Sequence, residues 1–229
     1  MTLKEAITVR HSVRQYTDKP LPQSIIEKLK SKIAEYNNTA GLHMQLVTNE
    51  PQAFANGLAK YGKFVGVKNY IAMVCSEEQE EVLGYYGEQL VLLSQTLGLN
   101  SCWVGLTFKK QPNHYKINKD EKLKAMIALG YGKTQGVQHP QKKEIDTFIS
   151  DNRSDKTTPL PDWFIRGTKA ALLAPTAVNQ QKFFFLLNDN DTVEAKKCFS
   201  ILTTYTSIDL GIAKCHFEIA AGKENFIWK

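Results

Sequence analysis

The spacing of apolar positions divides this chain into a series of short amphipathic elements. Over residues 22–36, Ile25, Ile26, Leu29 and Ile33 recur at helical spacing behind Pro22, which suits a first-turn position, so the pattern predicts a helix. Apolar runs at 43–48 and 69–76, the second carrying Tyr70, Ile71, Met73 and Val74 between polar flanks, predict strands. Residues 77–97 return to the helical period through Leu83, Tyr86, Leu90, Leu93 and Leu97, and Gly98 supplies a stop. Residues 102–105 and 124–131 read as two further strands. Helices and strands alternate without hairpin punctuation, which predicts a mixed α and β layer fold.

Between 133 and 161 the pattern dissolves into a polar stretch containing Gln135-Gly136 and Thr157-Thr158-Pro159, read as a linker. Beyond it, residues 163–173 read as a helix, 183–187 as a strand, 192–199 as a helix, 205–221 as a long helix and 225–228 as a closing strand. Residues 30–47 echo residues 168–186, with Thr39-Ala40 set against Thr176-Ala177. The long helices at 86–97 and 208–220 each precede a Trp-containing extended piece. Echoes this weak also arise by chance between α and β segments. We read them as a duplication, with residues 1–152 as one half and 159–229 as the other, interlocked in one unit.

With 229 residues, 42% of them apolar, the chain is long enough to bury a substantial core and is not a disordered protein. No stretch approaches the ~20 apolar residues of a membrane helix, and the opening Met1-Thr2-Leu3-Lys4-Glu5 does not lead into a secretory signal, so a soluble cytoplasmic protein is expected. The net charge of +6 is spread over many segments without a nucleic-acid-reading motif, so no nucleic-acid partner is expected. Cys75, Cys102, Cys198 and Cys215 stand singly in apolar surroundings, without the pairing that zinc or dithiol chemistry needs, and are read as buried thiols.

Two segments could carry chemistry. Arg10 and Arg14 flank His11 and Ser12 behind a short helix beginning at Thr2, so a turn here could aim guanidinium forks and a hydroxyl at a phosphate. Spacing alone favours the plainer alternative, a helix C-terminus carrying cations that offset its dipole. The segment Ala174-Pro175-Thr176-Ala177-Val178-Asn179-Gln180-Gln181 offers small and amide side chains between a helix end and a strand, able to lie flat on a planar ligand. It is equally an ordinary connection whose amides satisfy local backbone groups.

Taken together, the segments resemble a known family. Arg10-His11-Ser12-Val13-Arg14-Gln15-Tyr16, followed by Pro20-Leu21, is similar over its whole length to the opening of the FMN-dependent nitroreductases. Residues 174–181 resemble that family's Ala-Pro-Ser-x-x-Asn-x-Gln-Pro segment. Gly87-Glu88-Gln89 through Cys102-Trp103-Val104-Gly105 resembles its long helix followed by Leu-Gly-Leu-x-x-Cys-Trp-x-Gly. In the family the Ala-Pro-Ser segment normally lies within a few dozen residues of the opening and covers the flavin of the other subunit. Here it follows Asp162-Trp163, as it would if one chain imitated the whole homodimer, like the Thermotoga-type members.

The resemblance implies an α+β, nitroreductase-like fold, duplicated so that two half-repeats form a pseudo-dimer around central helices and mixed sheets. It implies FMN held at its phosphate, ribityl chain and pyrimidine edge by Arg10, His11 and Ser12, with Arg14 as a further phosphate or ribityl contact. Thr176 and Asn179 would meet the polar edge of the ring, Pro175 and Ala177 would allow close approach, and backbone at Val104 and Gly105 would face the ring near N5. Lys142 and Lys143, beyond Gly130-Tyr131-Gly132, would complete the phosphate site.

NADH or NADPH would reduce the flavin, and a nitroaromatic, quinone or similar small acceptor would reoxidise it. No catalytic side chain and no metal are required, because the flavin performs the chemistry. The alternative is a flavin carrier or sensor without turnover. Lys182 and Phe183 replace the family's Pro and Trp, the first-half loop at 38–45 has lost the Pro and Asn pattern, and no Arg-His-Ser precedes Trp163. The first of these departures bears on the shape of the substrate site, the other two imply one flavin per chain, and the internal pseudo-dimer allows a monomer.

Overall fold

The computed structural model describes residues 1–55, 57–140, 143–200 and 203–229. Helix α1 (Leu3–Val9) starts at a capping box in which Thr2 Oγ1 accepts the Glu5 N–H and the Glu5 carboxylate accepts the Thr2 N–H, satisfying two donors that a helix start leaves open. Helix α2 (Gln23–Ala40) buries Leu29 and Ile33 as its periodicity predicts, and Pro22 stands as its cap rather than inside its first turn. Strand β1 (Gln45–Val47), a short helix α3 (Gly57–Tyr61), strand β2 (Asn69–Cys75), helix α4 (Glu80–Thr96), strand β3 (Asn100–Val104) and strand β4 (Lys122–Gly130) follow. They form an antiparallel sheet in the order β1-β2-β4-β3.

Every residue of β2 is buried because both faces of this sheet are covered. Tyr70, Ala72 and Val74 pack with Phe54, Met126 and Ala128 on one face, and Ile71, Met73 and Cys75 pack with Leu29, Ile33, Leu83 and Leu90 on the other.

A second sheet is built from strand β5 (Ile149–Asp151), strand β6 (Phe183–Asn188), strand β7 (Thr192–Lys197) and strand β8 (Ile227–Trp228), with helix α5 (Asp162–Ala171) and helix α6 (Thr206–Ala221) packed on it. Phe183, Phe185 and Leu187 point into a cluster with Phe164 and Phe217, whose ring lies 4.5 Å from that of Phe185.

Several expectations are corrected here. Residues 192–197 form a strand and not a helix: Asn190 and Asp191 adopt left-handed backbone (φ 55° and 51°) in a tight hairpin, and the following Thr and Val suit the β7 ladder. The chain therefore does contain hairpin punctuation. The expected linker includes β5, which pairs in parallel with β6, so a segment before residue 152 belongs to the second sheet. Cys75, Cys102 and Cys215 are buried as expected, whereas Cys198 is half-buried.

Helices α4 and α6 cross at the centre. A methyl group at Gly211 would overlap the carbonyl of Glu81, and one at Gly84 would overlap the carbonyl of Ile208, so each helix contributes a glycine where the other's backbone comes closest. Among the described residues, no helix is long and apolar enough to cross a membrane.

Candidate functional site

Helix α1 ends at Arg10, whose backbone turns extended and carries residues 10–14 along β3, with a bridge between Ser12 and Ser101. This places Arg10, His11, Ser12 and Arg14 along one wall of a cleft of about 570 Å³. Leu173, Pro175, Thr176, Val178 and Asn179 form a second wall, and residues 134–139 close a third side. The two motifs separated by some 160 residues in sequence thus face one space. Its volume lies within the ~300–1,000 Å³ of small-molecule and cofactor sites.

Arg10 is only 5% exposed, and its Nε, buried, has no hydrogen-bond partner. A buried donor left unpaired is costly in a folded protein and signals a missing acceptor. Behind it lies Glu88 of α4, fully buried, with Oε1 4.0 Å from Arg10 Nε. Glu88 accepts the Trp103 indole N–H at 2.8 Å and lies 2.9 Å from His216 Nε2. The other ring nitrogen of His216 is 3.1 Å from the Ala170 carbonyl and must donate to it, since a carbonyl only accepts. Four helices, α1, α4, α5 and α6, meet on this cluster, which fixes the floor beneath Arg10.

The opposite wall is strained. Val178, Asn179 and Gln181 have φ of 47°, 53° and 45°, and a β-branched residue in left-handed backbone is a true outlier. Asp209 of α6 accepts the Ala177 N–H at 2.9 Å and the Gln180 side-chain amide at 2.8 Å. The Gln180 carbonyl accepts Ser200 Oγ–H at 2.7 Å. Gln181 donates its backbone N–H to Thr176 Oγ1 and its side chain to the Leu172 carbonyl, which also receives His139 Nε2 at 3.0 Å. Asn179 Nδ2 reaches the Pro140 carbonyl, while its Oδ1 is buried without a partner. Burial raises the Asp209 carboxyl to about 6 against these hydrogen bonds. Burial also lowers His11, assisted by the charge of Arg10 and by His139, which favours a neutral ring.

Of the residues expected from sequence, Arg10, His11, Ser12, Arg14, Pro175, Thr176 and Asn179 line the cleft. Ala177 does not line it and instead gives its N–H to Asp209. Val104 and Gly105 are not brought to the cleft: Val104 packs in the core under the first sheet, and Gly105 lies against the Tyr205 ring. Lys143 sits 5.5 Å from the Phe148 ring centroid, away from the cleft, and Lys142 lies outside the described residues. Sequence reasoning missed the third wall, where Gly136 (φ 72°) stands so close to His11 that a Cβ would lie 2.9 Å from the His11 Cβ. Glu88, Asp209 and His216 were also missed. Each is a polar residue among mostly apolar ones on the buried stripe of a helix, a signal that identifies a partner only once the fold is known.

The family described as "Putative TM nitroreductase" matches residues 2–221. None of the curated proteins matches. Among solved structures, a putative nitroreductase from Thermotoga maritima is 21% identical with a TM-score of 0.67, the alignment covering 98% of this chain and 85% of that one. A putative nitroreductase from Desulfovibrio desulfuricans, solved in complex with FMN, is 16% identical with a TM-score of 0.48, covering 70% of this chain and 99% of that one. A nitroreductase family protein from Streptococcus pneumoniae is 16% identical with a TM-score of 0.48, covering 65% and 99%.

Proposed function

The chain belongs to the family described as "Putative TM nitroreductase", and on that premise we propose that it is an FMN-dependent oxidoreductase whose flavin lies in the cleft between residues 10–14 and 173–179. The observation that carries the reading is that Arg10 and Asn179, which line its facing walls, each hold a buried polar atom without a hydrogen-bond partner, Nε and Oδ1. A ligand with an anionic group and a polar-edged ring supplies both missing partners, and FMN has both.

FMN when bound supplies the hydride and electron chemistry, between NADH or NADPH as donor and a nitroaromatic, quinone or similar acceptor. The protein binds and orients. Arg10 offers a charge already desolvated and backed by Glu88, so its hydrogen bonds to a phosphate form without a further loss of water. Ser12 and Arg14 extend that anion site, and a neutral His11 contributes a polar contact without a second buried charge. Thr176 and Asn179 address the ring edge, and Val137 and Val178, both exposed, give apolar surface. No side chain has to act as nucleophile or base.

The pseudo-dimer reading is part of the same proposal. The order helix, strand, strand, helix, strand recurs as α2-β1-β2-α4-β3 and α5-β6-β7-α6-β8, apart from the short α3, and the paired glycines at the α4–α6 crossing support it. One flavin per chain and a monomer follow from it. The test is the visible spectrum of the purified protein before and after adding FMN, then anaerobic NADH or NADPH. Flavin bleached by either nucleotide supports the enzyme. Bound flavin indifferent to both supports a carrier or sensor, and a protein that never takes up FMN overturns the cofactor assignment.

A further inference from the structure

Three left-handed residues within four positions do not hold themselves in place, so the wall at 176–181 needs external restraint. Its anchors divide into two kinds. Asn179 Nδ2 and Gln181 Nε2 reach backbone carbonyls, ties between neutral groups that no change of pH alters. The tie to α6 is different, because both oxygens of one buried carboxylate receive N–H donors, from the Ala177 backbone and the Gln180 side chain.

We propose that Asp209 is the positioning residue of the cleft: its carboxylate clamps the strained wall in the shape that receives flavin, and the clamp loosens when that carboxylate takes up a proton. The inference rests on the flavin reading for its consequence, while the clamp itself stands on the geometry of the protein alone.

The chemistry follows from the inventory of donors and acceptors. An ionised carboxylate accepts from both N–H groups at once. A protonated one must donate from one oxygen, and neither partner atom can accept. Gln180 can present its carbonyl to the acid proton only by turning its side-chain amide over, which takes that carbonyl from Ser200 Oγ–H, held at 2.7 Å, and leaves Ser200 Oγ to accept the amide N–H instead. Protonation therefore replaces charge-assisted hydrogen bonds with neutral ones, roughly half as strong, and forces the amide to rearrange. The raised Asp209 carboxyl, at about 6, makes that change accessible just below neutrality.

Charged neighbours do not blur the effect. On α4, Glu80 is paired with Lys124 at 2.6 Å and Glu81 with Lys214 at 2.7 Å. On β7, Lys197 bonds Ser207 Oγ at 3.1 Å. Tyr205, at the start of α6, has its phenol raised by burial and stands against Gly105, and Lys182 lies one residue beyond the loop. A carboxylate buried against its own desolvation, whose side-chain hydrogen bonds among the described residues go to a loop of the cleft, fits a role in the site better than one in stability.

The experiment compares the wild type with Asp209→Asn and Asp209→Ala. Asn keeps the size and one acceptor but loses the charge and, like the protonated acid, requires the Gln180 amide to turn over, and removing a buried charge favours folding. FMN affinity is read by quenching of flavin fluorescence from about pH 5 to about pH 8. Riboflavin is run alongside, because the FMN phosphate itself titrates near pH ~6. The wild-type affinity for both flavins is expected to fall about tenfold as pH drops through about 6, as for loss of one charge-assisted hydrogen bond. Both variants are expected to bind about tenfold more weakly at neutral pH, and for riboflavin to keep only the smaller slope that His11 in the cleft contributes.

Hydrogen-exchange protection of the Ala177 amide, measured without flavin, is expected to fall over the same pH range in the wild type alone. Variants with wild-type affinity and slope, or an Ala177 amide whose protection is independent of pH in the wild type, overturn the proposal. A wild type that binds no flavin but shows the exchange transition overturns the cofactor assignment and leaves the clamp standing.

Discussion

Replacing Arg10 with Ala separates two energies that the structure places on one side chain. The first is the ion pair with Glu88. At an effective dielectric of about 20, the attraction of two charges 4.0 Å apart is about 4 kcal/mol, but burying each ion costs several kcal/mol, so the net contribution to folding is small. Glu88 is not orphaned by the change, because Trp103 and His216 still bond it at 2.8 and 2.9 Å. The loss of stability should therefore stay within about 2 kcal/mol. The second energy is the hydrogen bonding that a buried guanidinium gives to a phosphate, ~1.5–3 kcal/mol for each charge-assisted bond, so FMN affinity should fall about 10- to 100-fold. Arg10→Lys keeps the charge and loses the fork, and should fall between. Urea unfolding of the flavin-free protein and fluorescence titration with FMN measure the two quantities separately. If the variant binds FMN within about threefold of a wild type that binds well, the assignment of Arg10 to the anion is wrong.

Three further outcomes follow from particular contacts. Gly211→Ala puts a methyl group into the Glu81 carbonyl at the helix crossing, and should destabilise by about 1–3 kcal/mol despite the better helix propensity of Ala; thermal unfolding with an unchanged midpoint would refute the close crossing. The Asp209 carboxyl is raised from 3.8 to about 6 in the folded state, so the folded protein binds more protons between those values. Its contribution to stability is then fully present below about pH 4 and lost as pH rises through about 6, a decline of about 3 kcal/mol. Asp209→Asn should flatten that part of the stability profile in urea titrations. Val178→Asn, at an exposed site with φ 47°, relieves left-handed strain and should raise the melting temperature by about 2–4 °C; a fall would show that the valine side chain holds the wall in place.

The sheets and long helices were legible because periodicity reports burial directly: Leu29 and Ile33 repeat on α2, and Leu83 and Leu90 repeat on α4, and all four are buried. The misread segment at 192–199 was short, and its polar Glu194, Lys196 and Lys197 mimic one face of a helix as well as one face of a strand. What decided it was the left-handed pair Asn190-Asp191, which pins β7 to β6. The expected linker was polar for a reason that local pattern does not carry, since residues 134–139 face the cleft.

The sequence by itself offered guanidinium, hydroxyl and amide groups in motifs at residues 10–14 and 174–181, because such groups near element ends are local chemistry, and only their resemblance to the nitroreductases pointed them at a flavin. It also determined most of the long elements, because alternation and helical period are properties of neighbours along the chain, but not β5 or β7. Only the tertiary structure decided that the two motifs share one cleft, that Gly136 and His139 complete it, and that Val104 and Gly105 do not reach it. It alone decided that Glu88, His216 and Asp209 support the walls. Their hydrogen bonds join residues as many as 128 positions apart, and a contact at that separation exists only once α4 and α6 have crossed.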